Sequence, residues 1–251
     1  MTASLSIYLG TYPFANNVET FEVTQEARVE QVPIPRRHGF LSDEGYRAGL
    51  GIRIGGLIYN DEYLDTRTAL NLLKNAFSLG KQYLTIYDDR RLLVQKNYFS
   101  SSIEDQDLRR VRWEAELVSD ADGFEAVTQT VTTKTISASP QTDTFATVGN
   151  LPSDSVIKIT AGGSNIASGL RIDNLTSGKY FTYNAVITAG NYIEIDTDLL
   201  TVVNQAGTNV VENFTGDFFK LEAGSNSVKW TGTATGSPTL RMTFRDKFDG
   251  I

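Results

Sequence analysis

The chain has 251 residues, 40% of them hydrophobic and 21% charged, a globular composition with enough length to bury one large β core or two ordinary ones. It contains no cysteine, which excludes disulfide frameworks, thiolate nucleophiles and Cys-ligated zinc, and one histidine, which excludes a three-His metal site. The formal net charge of -7 makes it a poor phosphate binder and would suit a surface that DNA slides past without sticking.

Met1-Thr-Ala-Ser-Leu-Ser-Ile-Tyr-Leu-Gly10 has no basic segment and no sustained apolar run, so the sequence reads as a soluble protein made in the cytoplasm. Residues 17–32 place Phe21, Val23 and Val29 among polar residues in near-alternation, the pattern of a strand with one wet face. Pro33-Ile-Pro-Arg-Arg-His-Gly39 follows. Two prolines remove two ladder donors, so this segment is a turn or arm and not a central strand. Gly49 to Tyr59 is a second strand with Leu50, Ile52 and Ile54 in step, and Gly55-Gly56 marks a bulge or a close backbone approach.

The period then changes. Ala69, Leu72, Leu73, Ala76 and Phe77 recur at helical spacing between Asp65, a candidate N-cap, and Gly80, a candidate C′ residue, which predicts a helix over about 65–79. Tyr83 to Tyr87 and Leu92 to Phe99 read as a hairpin around Asp88-Asp-Arg-Arg91, followed by a polar loop at Ser100-Ser-Ser102. Leu108 to Val118 is a strand with Val111, Trp113, Ala115 and Leu117 on one face and Arg110, Arg112, Glu114 and Glu116 on the other. Ser119-Asp-Ala-Asp-Gly-Phe124 is turn-rich, and we place a domain boundary near residue 127, giving domains 1–126 and 127–251. Residues 126–150 read as a linker that becomes a first strand, after which strands recur at the spacing of a β-sandwich.

Chemistry-bearing constellations are sparse. Asp196-Thr-Asp198 has short-range carboxylates but lacks the downstream Asp-x-Gly and bidentate Glu of a calcium loop, so it reads as a hairpin with Asx-capped turns. Asp120-Ala-Asp122-Gly123 reads the same way. Glu194 and Asp196 share a strand face, as i,i+2 pairs on exposed sheets routinely do, and nothing marks a glycosidase cleft around them. Gly49-x-Gly51 and Gly55-Gly56 do not form a phosphate loop. His38, beside Arg36 and Arg37, belongs in an exposed turn or an inter-subunit contact. No catalytic residue, metal ligand or cofactor site is expected, and the chain is not read as an enzyme. Among Tyr180, Tyr183, Tyr192 and Trp230, Trp230 shares a face with Val228 and belongs to the core, whereas Tyr192 is the better exposed platform for a sugar ring.

The C-terminal pieces come in a telling order: Tyr192-Ile-Glu-Ile-Asp-Thr197, Leu221-Glu-Ala-Gly-Ser-Asn226, Ser227-Val-Lys-Trp-Thr231, Thr231-Gly-Thr233 and the closing Arg241-to-Phe248 strand. This order resembles the C-terminal domain of siphophage distal tail proteins. Pro33 to Gly39 before Ile52-Arg-Ile-Gly55, then the Leu-rich helix, extends the resemblance into the first half. It implies a mainly β fold: a β-sandwich-like ring domain with one α-helix, then a peripheral galectin-like or carbohydrate-module-like β-sandwich. It further implies a structural hub in the virion, a hexameric ring that joins the tail tube to the baseplate or tail tip and leaves a channel for DNA. The partners would be other copies of the chain, the tail-tube protein and tail-tip or baseplate hub proteins, with a receptor-binding protein or cell-surface glycan as a further partner and no membrane insertion. Pro33, Pro35, Arg36, Arg37, His38 and Gly39 would form the inter-subunit arm. The alternatives are a glycan-binding tail adhesin, in which Tyr192 contacts sugar, and a tail-tube subunit.

Overall fold

Alternation along the chain reappears as alternation of burial in the computed structural model, which describes residues 6–14, 18–28, 31–33, 40–42, 46–105 and 109–250. The chain divides into two compact units, Met1–Val127 with Gly250–Ile251, and Thr128–Asp249. Among the described residues no helix is long and apolar enough to cross a membrane.

In the first unit the strands are β1 (Ile7–Leu9), β2 (Tyr12–Pro13), β3 (Val18–Arg28), β4 (Gln31–Pro33), β5 (Phe40–Ser42), β6 (Tyr46–Tyr59), β7 (Gln82–Ile86), β8 (Arg90–Ile103), β9 (Arg110–Val118) and β10 (Phe124–Ala126), with helix α1 at Tyr63–Ser78. The main sheet runs β2-β1-β7-β8-β9-β6-β3, with β10 beside the start of β8, and β4 pairs with β5 separately. β9 buries Val111, Trp113, Ala115 and Leu117 and exposes Arg110, Arg112 and Glu114, as a period of two requires. Helix α1 covers the apolar face, packing on β6, β8 and β9 through Thr66, Leu73, Ala76 and Phe77. Phe77 and Phe14 flank the Trp113 ring at centroid distances of 6.0 and 5.5 Å. Each such buried apolar side chain stabilises the unit by about 1.5–3 kcal/mol.

The helix starts two residues before the predicted Asp65 cap. Glu62 is the extended residue before it, without a side-chain cap, and Asp65 lies in the first turn, where its charge favours the positive end of the helix dipole. Gly80 does not act as a left-handed cap. The helix ends at an extended Leu79 (φ -68°, ψ 148°), and the free carbonyls are taken by side chains: Gln82 Nε2 donates to Ala76 O at 2.7 Å and Ser78 Oγ to Asn75 O at 2.8 Å. Leu72, expected on the buried face, is 55% exposed. Ser100 to Ser102 are not a loop, because β8 continues through them paired with β9.

The second unit contains β11 (Thr130–Thr135), β12 (Gln141–Ala146), β13 (Ser155–Thr160), β14 (Leu170–Asn174), β15 (Lys179–Tyr183), β16 (Tyr192–Asp196), β17 (Thr201–Asn204), β18 (Phe214–Gly216), β19 (Ser225–Thr231) and β20 (Thr239–Phe244). Residues 126–150 therefore carry two strands and little linker. The two sheets run β11-β20-β13-β16-β17 and β12-β19-β14-β15-β18, and their inner faces supply one core that includes Ile157, Ile195, Phe181, Phe219, Trp230 and Met242. This is a β-sandwich of antiparallel sheets.

Candidate assembly surfaces

The wet face of β3, β6, β9 and β8 carries charge in cross-strand order. Arg53 Nε on β6 lies 3.0 Å from Glu114 Oε1, and its Nη2 lies 3.3 Å from Glu116 Oε1, both on β9. Arg112 donates to Glu104 at 2.6 Å and to Glu19 at 2.8 Å, and these hydrogen bonds, the one to Glu104 first and the one to Glu19 second, push its pKa above the usual arginine value. A depression of about 320 Å³ opens between these groups, lined by Thr20, Glu22, Arg53, Gly55, Ser100 and Arg112. Glycine lets the backbones meet there: a Cβ on Gly55 would stand 3.0 Å from Trp113 O, and the register on the β3 side shifts between Val18 and Thr20. Of the two readings of Gly55-Gly56, the close approach is present, and the bulge lies on the partner strand and not at the glycines.

Two long edges of this sheet have no partner strand among the described residues. One is β3, the last strand of the sheet order. The other is β8 from Gln95 to Ile103, because β7 covers β8 only as far as Val94. They lie on opposite sides of the same four strands. Antiparallel pairing throughout makes β8 and β3 run in opposite directions.

The β3–β6 ladder extends beyond β9, whose last partner on β6 is Gly51, to Arg28↔Tyr46, and β4 and β5 then pair from Gln31↔Ser42 to Pro33↔Phe40. Of the predicted arm, Pro33 ends β4, whereas Pro35, Arg36, Arg37, His38 and Gly39 lie outside the described residues.

In the second unit the singled-out motifs fold as structural clamps. Leu221 is fully buried, Gly224 has φ +88°, and Asn226, fully buried, holds the loop between them: its Oδ1 accepts from Glu222 N at 2.8 Å and its Nδ2 donates to Glu222 O at 2.8 Å. Asp196 Oδ1 accepts from Asp198 N and Leu199 N at 2.9 and 3.0 Å, the Asx turn expected, while Thr197 Oγ1 accepts from Ser155 N. Thr233 Oγ1 accepts from Ala167 N at 3.0 Å. Asp120 pairs with Lys81 at 2.9 Å in the first unit. Glu194 lies 4.0 Å from Lys158 Nζ, so the two carboxylates of β16 have separate structural partners.

The four aromatic residues separate by burial. Trp230 is 1% exposed in the core and Tyr183 is buried, with burial, then Glu212, pushing its pKa up; Tyr180 is exposed, with Arg171 3.8 Å over its ring. Tyr192 is half-buried on the outer face of its sheet, and Lys158 Nζ stands 3.2 Å from its ring centroid. The sequence reading did not find Lys158 as this partner, because only the register Thr160↔Tyr192 and Lys158↔Glu194 brings it there.

Residues 148–248 match the family described as "Siphovirus-type tail component, C-terminal domain". No curated protein matches. Over 98% of this chain and 99% of the other, the structure is similar to the crystal structure of the SPP1 Dit protein, described as a paradigm of the hub adsorption apparatus in Gram-positive infecting phages, with a TM-score of 0.71 at 11% identity. Two structures of the phage P2 baseplate in its activated conformation, with Ca and with Sr, match at TM-scores of 0.41 and identities of 8% and 9%, each over 99% of this chain and 100% of that chain. Residues 148–248 thus match the siphovirus-type tail component C-terminal domain, within a chain whose fold is similar to that of the SPP1 Dit protein.

Proposed function

We propose that this chain is a hub of a siphophage tail: a ring of copies, six by the resemblance, that joins the tail tube to the baseplate or tip and leaves a channel for DNA. The observation that carries this reading is the pair of edges without a partner strand among the described residues, β3 and the second half of β8, on opposite sides of one sheet. Unpaired edges of this length invite strand addition. A rotation about an axis near the strand direction brings β8 of one copy beside β3 of the next, antiparallel, and repetition closes a heterologous ring. About 24 strands about 4.8 Å apart, tilted by about 40°, enclose a backbone diameter of about 48 Å, which leaves a channel wider than a DNA duplex after side chains are allowed for. The wet face would line it, with Glu19, Glu22, Glu104, Glu114 and Glu116 outnumbering Arg53, Arg110 and Arg112, a surface that does not hold phosphates.

The β4–β5 ribbon supports the same reading. An isolated two-stranded ribbon is marginal in water, so the segment from Pro33 to Gly39 is suited to lie on a neighbour as an arm. Tail location in the virion, synthesis in the host cytoplasm and a purely structural role without enzymatic activity follow from this reading. The boundary near residue 127 would then separate the ring-forming part from a peripheral one.

The test is the mass in solution by light scattering, with proline placed in β3 at Glu22 or at Val23. Ladder bonds alternate, so one of these two N–H groups serves β6 and the other points outward. The expected result is a closed ring of about six chains that is lost in the outward-pointing variant while its fold is kept. A strict monomer at every concentration, or an open-ended polymer, refutes the closed ring.

A further inference from the structure

At the edge of the second unit, a cleft of about 560 Å³ opens between the segment that leads from β15 into β16 and the turn after β17. Thr188, Asn191, Tyr192, Asn204 and Gln205 line its rim, and the buried Tyr183 lines it as well. Ile187 and Ile193 give it an apolar floor, and no Asp, Glu, Lys or Arg lines it. We propose that this cleft binds one neutral sugar ring of a polysaccharide. The inference concerns the second unit alone and stands whether or not the ring forms.

The chemistry of the rim carries the argument. A sugar presents hydroxyl groups that donate and accept, with an apolar C–H face, and side-chain amides match the hydroxyls because each carries both functions. The amides here are already oriented by the turns that hold them. Asn204 Oδ1 accepts from Ala206 N at 3.0 Å and Thr208 N at 3.1 Å, which leaves its NH₂ as the free end. Asn191 Nδ2 donates to Thr188 Oγ1, which leaves its carbonyl oxygen as an acceptor. Oriented groups lose less freedom on binding than mobile ones. The Tyr183 hydroxyl is protonated at neutral pH, as an ordinary tyrosine is, and burial pushes its pKa further up.

Tyr192 supplies the flat surface. Lys158 Nζ, 3.2 Å from the ring centroid and 4.0 Å from Glu194, occupies one face of that ring and fixes its orientation, so the cleft meets what remains of it. With no charge in the lining, an anionic or cationic ligand would lose its hydration without a counter-charge. A neutral pyranose does not meet that cost.

The test is saturation-transfer NMR on the full chain at millimolar concentrations of methyl glucosides, methyl galactosides and methyl N-acetylglucosaminides. At least one is expected to receive transfer, with affinity falling about tenfold in Tyr192→Ala and a few-fold in Gln205→Ala, and kept in Tyr192→Phe. Gln205 is exposed, so its variant reports on the cleft even should Tyr192→Ala fail to fold. No transfer to any of the probes, or equal transfer in Tyr192→Ala and Gln205→Ala, overturns the proposal. Light scattering on the same samples reads the ring separately.

Discussion

Replacing Asn226 removes the centre of the Leu221-to-Asn226 clamp, and its cost can be worked through partner by partner. Four hydrogen bonds meet at this fully buried amide: from Glu222 N at 2.8 Å, from Asn174 Nδ2 at 3.4 Å, and to the carbonyls of Glu222 at 2.8 Å and Gly224 at 3.3 Å. In Asn226→Ala the partners fare differently. Glu222 O keeps Thr147 Oγ1 as a donor, Gly224 O keeps Thr147 N, and Asn174 Nδ2 keeps Lys220 O. Glu222 N is left without an acceptor. One orphaned donor at about 1–3 kcal/mol, with the net loss of the other bonds, gives a cost of about 3–4 kcal/mol. For a unit of about 120 residues this lowers the melting midpoint by about 12–15 °C in calorimetry.

Asn226→Asp sharpens the test through its sign. The new oxygen faces the Glu222 and Gly224 carbonyls in place of a donor, so the folded protein disfavours the carboxylate and raises its pKa above the unfolded value of about 3.9. The protonated acid can still donate. The penalty is therefore small near pH 4, grows as pH rises above the unfolded pKa, and levels off above the folded one. A fall of less than about 4 °C in Asn226→Ala, or a penalty in Asn226→Asp that is equal at pH 4 and pH 8, refutes this account of the clamp.

Two further substitutions test backbone geometry. Gly49→Ala would place its Cβ 1.9 Å from Ser119 O, so calorimetry should show a loss of at least about 3 kcal/mol in the first unit, whereas Gly80→Ala, with nothing within 4 Å and φ outside the left-handed region, should be neutral or gain up to about 1 kcal/mol. Leu200, 59% exposed at the β16–β17 turn, holds φ 54°, so Leu200→Gly should stabilise the second unit by about 1 kcal/mol in urea denaturation; a destabilised variant would mean that its side chain contributes more than its backbone strain costs.

Strands with one buried face were legible because a period of two is a local property. Val111, Trp113, Ala115 and Leu117 alternate with Arg and Glu in the sequence and in burial alike, and so do Ile193 and Ile195 against Tyr192, Glu194 and Asp196. Leu73, Ala76 and Phe77 likewise announced α1, whose C-terminal end needs no glycine because Gln82 and Ser78 satisfy its carbonyls. What needed the tertiary structure was which strand lies beside which. Arg112 meets Glu19 across 93 residues of chain, Lys158 meets Tyr192 only through the β13–β16 register, and β3 and β8 become free edges only once the other strands have found partners. Side-chain period is written in a few neighbouring residues, whereas pairing, register and leftover edges are properties of the assembled sheet. The surfaces proposed for assembly and for sugar are therefore set by the fold, although the residues that form them stand plainly in the sequence.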